Sequence, residues 1–178
     1  MKTSEELRSA QKGIRMSFII REKNSKDDMT FFADLDYKSF KTTLKSQYIP
    51  EEEKRKKYEE FLKADPIDPE GPDHVILIVE NERRRRCGLI WICRRKPFWR
   101  FKTSHTWIYN LHIIEEYRGR GLANQLLLKA EEWTKTQGLN SIALHVINEN
   151  KIARHLYERV GYELVATHNE SCFYEKKI

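Results

Sequence analysis

Apolar residues fall into short runs along this chain, and the spacing within each run changes from segment to segment. The run MSFIIRE (16–22) is dense enough for a strand. From Ser25 to Lys45, capping-type residues precede Phe32, Leu35, Phe40 and Leu44 at near-helical spacing, which predicts a helix. A second helix is expected after Pro50, over EEEKRKKYEEFLK (51–63). It is stopped by ADPIDPEGPD (64–73), whose three prolines and one glycine make a loop.

Beyond that loop the pattern turns strand-rich. HVILIVEN (74–81) and CGLIWICRR (87–95), joined by a charged turn, read as an antiparallel hairpin. TWIYNLHII (106–114) adds a strand. Leu122, Leu126, Leu127, Ala130 and Trp133 then mark one face of a helix that Gly138 ends. SIALHVI (141–147) is a strand. ENKIARHLYERVG (149–161) is a helix with Ile152, Ala153, Leu156, Tyr157 and Val160 inward, ended by Gly161. YELVAT and CFYEKKI finish as strands. A short helix over 4–12 is expected within an N-terminal extension, 1–15. No repeat, low-complexity tract or linker divides residues 1–178, so one domain is expected. The order βααβββαβαββ describes an α/β (α+β) fold, a mixed sheet flanked by helices.

Composition removes some function classes. A hydrophobic fraction of 39% beside 34% charged residues fits a soluble globular chain. The apolar runs VILIV and LIWIC are strand-length, too short to span a bilayer. The start MKTSEELRSAQKG has no apolar signal region, so a cytoplasmic location is expected. Cys87, Cys93 and Cys172 lack a metal-ligand spacing and read as buried thiols in a reducing compartment, with no metal expected. On the same reasoning the sequon Asn169-Glu170-Ser171 is incidental. The net charge of +6 favours anionic partners without choosing among nucleic acid, acidic membrane and phosphorylated cofactor. The run ERRRRC (82–87), between two strand-like segments, reads as a solvated hairpin turn rather than a nucleic-acid contact.

The candidate chemistry begins at EEYRGRGLANQLL (115–127). A loop that leaves a strand and enters a helix exposes unpaired N–H groups at a positive helix end, a ready anion site. Gly119 and Gly121 let a phosphate approach the backbone, and Arg118 and Arg120 add forked donors. A Walker loop is excluded because no Gly-Lys-Ser/Thr is present. A dinucleotide fingerprint is excluded by Asn124, where glycine or alanine is needed.

What the loop matches is Arg-x-x-Gly-x-Ala, Arg118 to Ala123. This resembles the pyrophosphate-binding signature of the Gcn5-related N-acetyltransferase (GNAT) superfamily. A second block, NKIARHLYERVGY (150–162), resembles the Asn-x-x-Ala-x-x-Leu-Tyr-x-x-x-Gly-Phe/Tyr block of the same superfamily. The resemblance is specific over 105–166 and extends loosely, by topology, over 16–178. It implies a mostly antiparallel sheet with a splayed wedge between the fourth and fifth strands, which holds acetyl-CoA. The amides of Arg118, Gly119, Arg120, Gly121, Leu122 and Ala123 would wrap the pyrophosphate. Backbone groups of Leu111 and Ile113 would hold the pantetheine arm, and the Leu111 N–H would polarise the acetyl carbonyl. Asn150 would bond the pantetheine, and Tyr157 would protonate the departing thiolate.

The base is less sharply marked. Many members of the superfamily carry a glutamate where this chain has Trp107. His145, on the fifth strand, matches a glutamate proposed as base in acetyltransferases of ribosomal-protein N-termini, and a water relay is the alternative. His112, Tyr109, Glu115 and Glu116 are weaker candidates. The first two helices and the segment Phe98, Trp99, Phe101 are expected to wall the acceptor cleft, where Asp34 and Asp36 could attract a cationic amine. The expected activity is acetyl transfer from acetyl-CoA to a primary amine: a small molecule, an amino acid or a protein N-terminus. A homodimer is left open, and no membrane partner is expected. Two alternatives stand beside it: a non-catalytic acetyl-CoA-binding sensor, and a basic nucleic-acid-binding protein.

Overall fold

The computed structural model describes residues 17–44, 48–64 and 66–178. The helix expected over 4–12 lies outside the described residues. The elements run β1 (Phe18–Glu22), α1 (Lys26–Lys41), α2 (Glu51–Ala64), β2 (His74–Asn81), β3 (Arg86–Arg95) and β4 (His105–Ile113). A single turn of 3-10 helix (Glu115–Tyr117) leads to α3 (Leu122–Thr136), then β5 (Ser141–Ile147), α4 (Lys151–Arg159), β6 (Glu163–His168) and β7 (Ser171–Lys177). The seven strands form one sheet in the order β1-β2-β3-β4-β5-β7-β6. Every neighbouring pair is antiparallel except β4–β5, which is parallel. The expected element order and the mostly antiparallel mixed sheet are both present.

Strand parity divides the core into two faces. Ile90, Ile92, Ile108, Ile142 and Leu144 meet Leu122, Leu126, Leu127 and Ala130 of α3. On the other face Ile76, Ile78, Leu89 and Trp91 meet Phe32 and Leu35 of α1. Covering both faces explains why β2 and β3 read as continuous apolar runs rather than alternating ones. Each such fully buried aliphatic side chain contributes about 2 kcal/mol.

Helix α1 is capped by Ser25, whose hydroxyl accepts from the Asp28 N–H, with Asp27 and Asp28 in the first turn and Lys38 and Lys41 in the last. Asp28 is fully buried and receives Arg21 at 2.7 Å and Arg86 at 2.6 Å, while Arg21 also pairs with Glu80. This cluster ties the start of α1 to β1, β2 and β3. It also accounts for one residue of the arginine run: Arg86 turns inward, and Arg83 to Arg85 lie exposed in the β2–β3 turn.

Two expectations are corrected. Helix α1 ends at Lys41, short of Leu44, because the Thr42 and Thr43 hydroxyls bond back to the carbonyls of Ser39 and Phe40 and satisfy the helix end. Ile152 is 88% exposed rather than inward. The buried stripe of α4 is Ala153, Leu156, Tyr157 and Val160, and Ile152 falls one position outside it.

Candidate active site

The parallel β4–β5 pairing covers three positions, Thr106↔Ile142, Trp107↔Ala143 and Ile108↔Leu144, after which the strands part. Both continue, β4 to Ile113 and β5 to Ile147, so the β5-facing backbone edge of the second half of β4 opens into a wedge. A bulge reinforces this. Trp91 pairs with Asn110 and Ile92 with Ile108, which leaves Tyr109 as the extra residue. Tyr109 and Asn110 consequently share the α1 face: Tyr109 stacks on Trp91 at 4.5 Å, and the Asn110 amide donates to Asp36 of α1 at 2.8 Å. Leu111 and Ile113 turn to the α3 face and pack on the main core.

At the open end of the wedge stands the entrance to α3. Gly119 and Gly121 adopt φ of 72° and 76°, left-handed values that favour glycine. A Cβ at either position would meet no atom within 4 Å, so the space in front of this backbone is free. Gly121 is the N-cap and supplies no side-chain cap, which leaves the first amides of α3 without a side-chain acceptor. The Leu122 side chain is buried, and Ala123 is half-buried, so each offers this space chiefly its N–H. Arg118 Nε donates to the Ile113 carbonyl at 3.1 Å, tying the loop to the strand it leaves. Arg120 lies over the Tyr117 ring at 5.9 Å.

Asn150 is the N-cap of α4, its Oδ1 accepting from the Ala153 N–H at 3.1 Å. Its Nδ2 is thereby left to another acceptor. One helical stripe further on, Tyr157 is buried at the α3 face of the wedge, edge-on to Tyr162 at 5.5 Å. Burial pushes its phenol above the ordinary range, so it stays protonated at neutral pH.

On the opposite face, His145 sits one residue past the last β4–β5 pair. Its ring lies 5.9 Å from Trp107 and 5.7 Å from Phe173. The side chain reaches solvent, yet these rings crowd the imidazole. Burial first, and then the positive charge of Arg95, lower its pKa and favour the neutral form. Trp107 itself is 2% exposed and enclosed by aromatic rings, a setting that would expel a carboxylate.

A hydrogen-bonded chain joins α1 to the second half of β4. Tyr58 donates to Asp36, Asn110 Nδ2 donates to Asp36, and the Ser39 hydroxyl donates to Asn110 Oδ1 at 3.1 Å. The Ser39 oxygen is therefore left to accept from His112 Nδ1 at 3.2 Å, which places the free lone pair of His112 on Nε2. Asp36 thus accepts one hydrogen bond at each oxygen, and Asp34, Glu115 and Glu116 are exposed.

Sequence reasoning singled out neither the Ser39–Asn110 link nor Arg95. Arg95 has the same strand parity as Trp91 and Cys93, which was the available signal.

Against known proteins, the model of the acetyltransferase (GNAT) family matches residues 37–162. The chain belongs to that family. An N-acetyltransferase of Bacillus subtilis, YycN, is 28% identical over 116 residues, covering 65% of this chain and 72% of its own. A Pyrococcus furiosus protein assigned as an acetyl transferase superposes with a TM-score of 0.72 at 27% identity, over 86% of this chain and 98% of its own. PaiA N-acetyltransferase of Thermoplasma acidophilum, solved in complex with coenzyme A, superposes with a TM-score of 0.68 at 23% identity, over 92% of this chain and all of its own.

Proposed function

We propose that this chain transfers an acetyl group from acetyl-CoA to a primary amine by direct attack within a ternary complex. The observation that carries the proposal is the wedge, with a protonated phenol at one face and a neutral imidazole at the other. The coenzyme A bound to the Thermoplasma acidophilum neighbour supports the choice of co-substrate.

The residues present fit that co-substrate. Open space before Gly119 and Gly121, uncapped α3 amides and the guanidinium groups of Arg118 and Arg120 suit a pyrophosphate. The β4 edge at Leu111 and Ile113, which pairs with no residue of β5, suits an extended amide-bearing arm, and Asn150 Nδ2 can donate to it. When bound, acetyl-CoA supplies the activated acyl group. His145 holds a lone pair for the proton of the attacking amine on the α1 face. Tyr157 Oη holds a proton for the departing sulfur on the α3 face. The Leu111 N–H would stabilise developing negative charge on the carbonyl oxygen.

One observation favours a second reading, an acetyl-CoA sensor without turnover: Trp107 occupies the position of the superfamily's frequent glutamate and cannot act as a base. Calorimetry with acetyl-CoA followed by thiol release against an amine panel tests both. Failure to bind at millimolar ligand would sink the two readings together, and binding without amine-dependent thiol release would leave the sensor.

A further inference from the structure

We propose that the acceptor is an amine carrying a carboxylate on an apolar or aromatic skeleton, anchored by Arg95. This deepens the acetyltransferase reading above and rests on it.

Arg95 ends β3 on the same face as Trp91 and Cys93, beside the first residues of β4. Its guanidinium lies 4.2 Å from the Phe98 ring centroid, 5.2 Å from that of Trp107 and 5.9 Å from that of Tyr109. The group is half-buried, yet among the described residues it makes no ion pair and donates no hydrogen bond. Other half-buried arginines differ. Arg21 and Arg86 grip Asp28, and Arg154 bonds Tyr174 and Asn148. A guanidinium has five N–H groups, and no described side chain accepts from those of Arg95. The donor edge of Arg95 is left for an oxyanion, and a planar fork matches a carboxylate.

The position is right for an acceptor anchor. Trp107 contacts both Arg95 and His145, so an anion on Arg95 brings its own amine toward the candidate base. The surrounding surface is aromatic. Trp99 stands edge-on to Phe173 at 4.8 Å and is 44% exposed, in a left-handed conformation (φ 46°) that a tryptophan rarely adopts. Strained backbone of this kind gathers at ligand-binding positions.

A polycationic acceptor is poorly served here. Asp36 already accepts from Tyr58 and Asn110, and Glu175 pairs with Lys177. Asp73 acts on His74 and Cys93 without pairing with Arg95. A single guanidinium also suits one carboxylate better than a phosphate dianion.

The test is binding to the coenzyme A-saturated protein, followed by tryptophan fluorescence. The probes are N-acetylphenylalanine and N-acetylleucine, their neutral amides, and N-acetyl-O-phosphoethanolamine. Wild type is expected to bind the carboxylates at least about tenfold tighter than the amides and tighter than the phosphate ester. Arg95→Met should abolish that preference, and Arg95→Lys, which keeps the charge but loses the fork, should reduce it. Equal binding of acid and amide, preference for the phosphate ester, or an unchanged preference in both variants would overturn the assignment. Acetyl-CoA affinity is measured alongside. Its absence would overturn the wedge reading and this inference together, whereas intact acetyl-CoA binding without carboxylate preference would overturn this inference alone.

Discussion

Tyr157 and His145 lie on opposite faces of the sheet, on either side of the line where β4 and β5 part after the Ile108↔Leu144 pair. A leaving group on the α3 face and an incoming amine on the α1 face would then be handled by different residues with opposite proton demands. Deep burial keeps the phenol protonated, and crowding by aromatic rings favours the neutral imidazole, because low dielectric disfavours either charged form.

Tyr157→Phe separates chemistry from packing. The hydroxyl makes no hydrogen bond among the described residues, so thermal stability should stay within about 0.5 kcal/mol of wild type. Loss of the proposed proton donor should lower kcat by about 100-fold while acetyl-CoA affinity is unchanged. Thiol-release kinetics and calorimetry read the two effects independently.

With His145 as the proposed base, the activity should show an acid limb. Its folded pKa lies below the ordinary imidazole value of about 6.5, so the neutral base is populated at neutral pH and is lost as pH falls through that lowered value. kcat/KM should rise to a plateau below about pH 6.5 and stay flat above it until another group titrates. His145→Gln should remove the limb as well as most of the rate.

The Asp28 cluster sets stability in acid. The Arg21 guanidinium holds the Asp28 carboxyl far below the usual carboxylate range, with further help from the Asn24 N–H and Arg86. A depressed folded pKa contributes stability that is present above the unfolded value of about 3.9 and lost as pH falls below it. Asp28→Asn should cost about 3 kcal/mol at pH 7, because it leaves Arg21 and Arg86 without their shared partner. Denaturant melts from pH 7 to 3 should show the variant's curve flatter than wild type.

Gly121→Ala strains the α3 entrance without a clash. The added methyl meets open space, but φ of 76° costs an L-residue about 1 kcal/mol. A matching loss in thermal stability is expected, together with acetyl-CoA affinity weakened more than that strain accounts for. A stability loss with unchanged affinity would remove residues 118–123 from the proposed pyrophosphate site.

The fold was legible because each run of β2, β3 and β5 has a single reading: apolar, β-branched and too short for a helix. Periodicity misjudged its ends. Leu44 continues the spacing of Phe40, but two threonines close α1 first. Ile152 has the right residue type in the wrong register. The α3 entrance and the α4 block were also readable, since backbone approach and helix capping impose residue types at fixed spacing. The face proposed for the acceptor was not. Alternation alone would set Tyr109 and Asn110 on opposite faces, and the bulge that unites them leaves no mark in composition. Arg95 and Trp107 meet only after a strand pairing and a strained loop are in place.

Acetyl transfer is tested most directly by incubating the protein with acetyl-CoA and a panel of amines, reading thiol release and product mass together. Amine-dependent thiol release, with one acetyl group gained by the amine and the rate sharply reduced in Tyr157→Phe, is the predicted result. Firm acetyl-CoA binding with no amine-dependent thiol release from any member of the panel would contradict it.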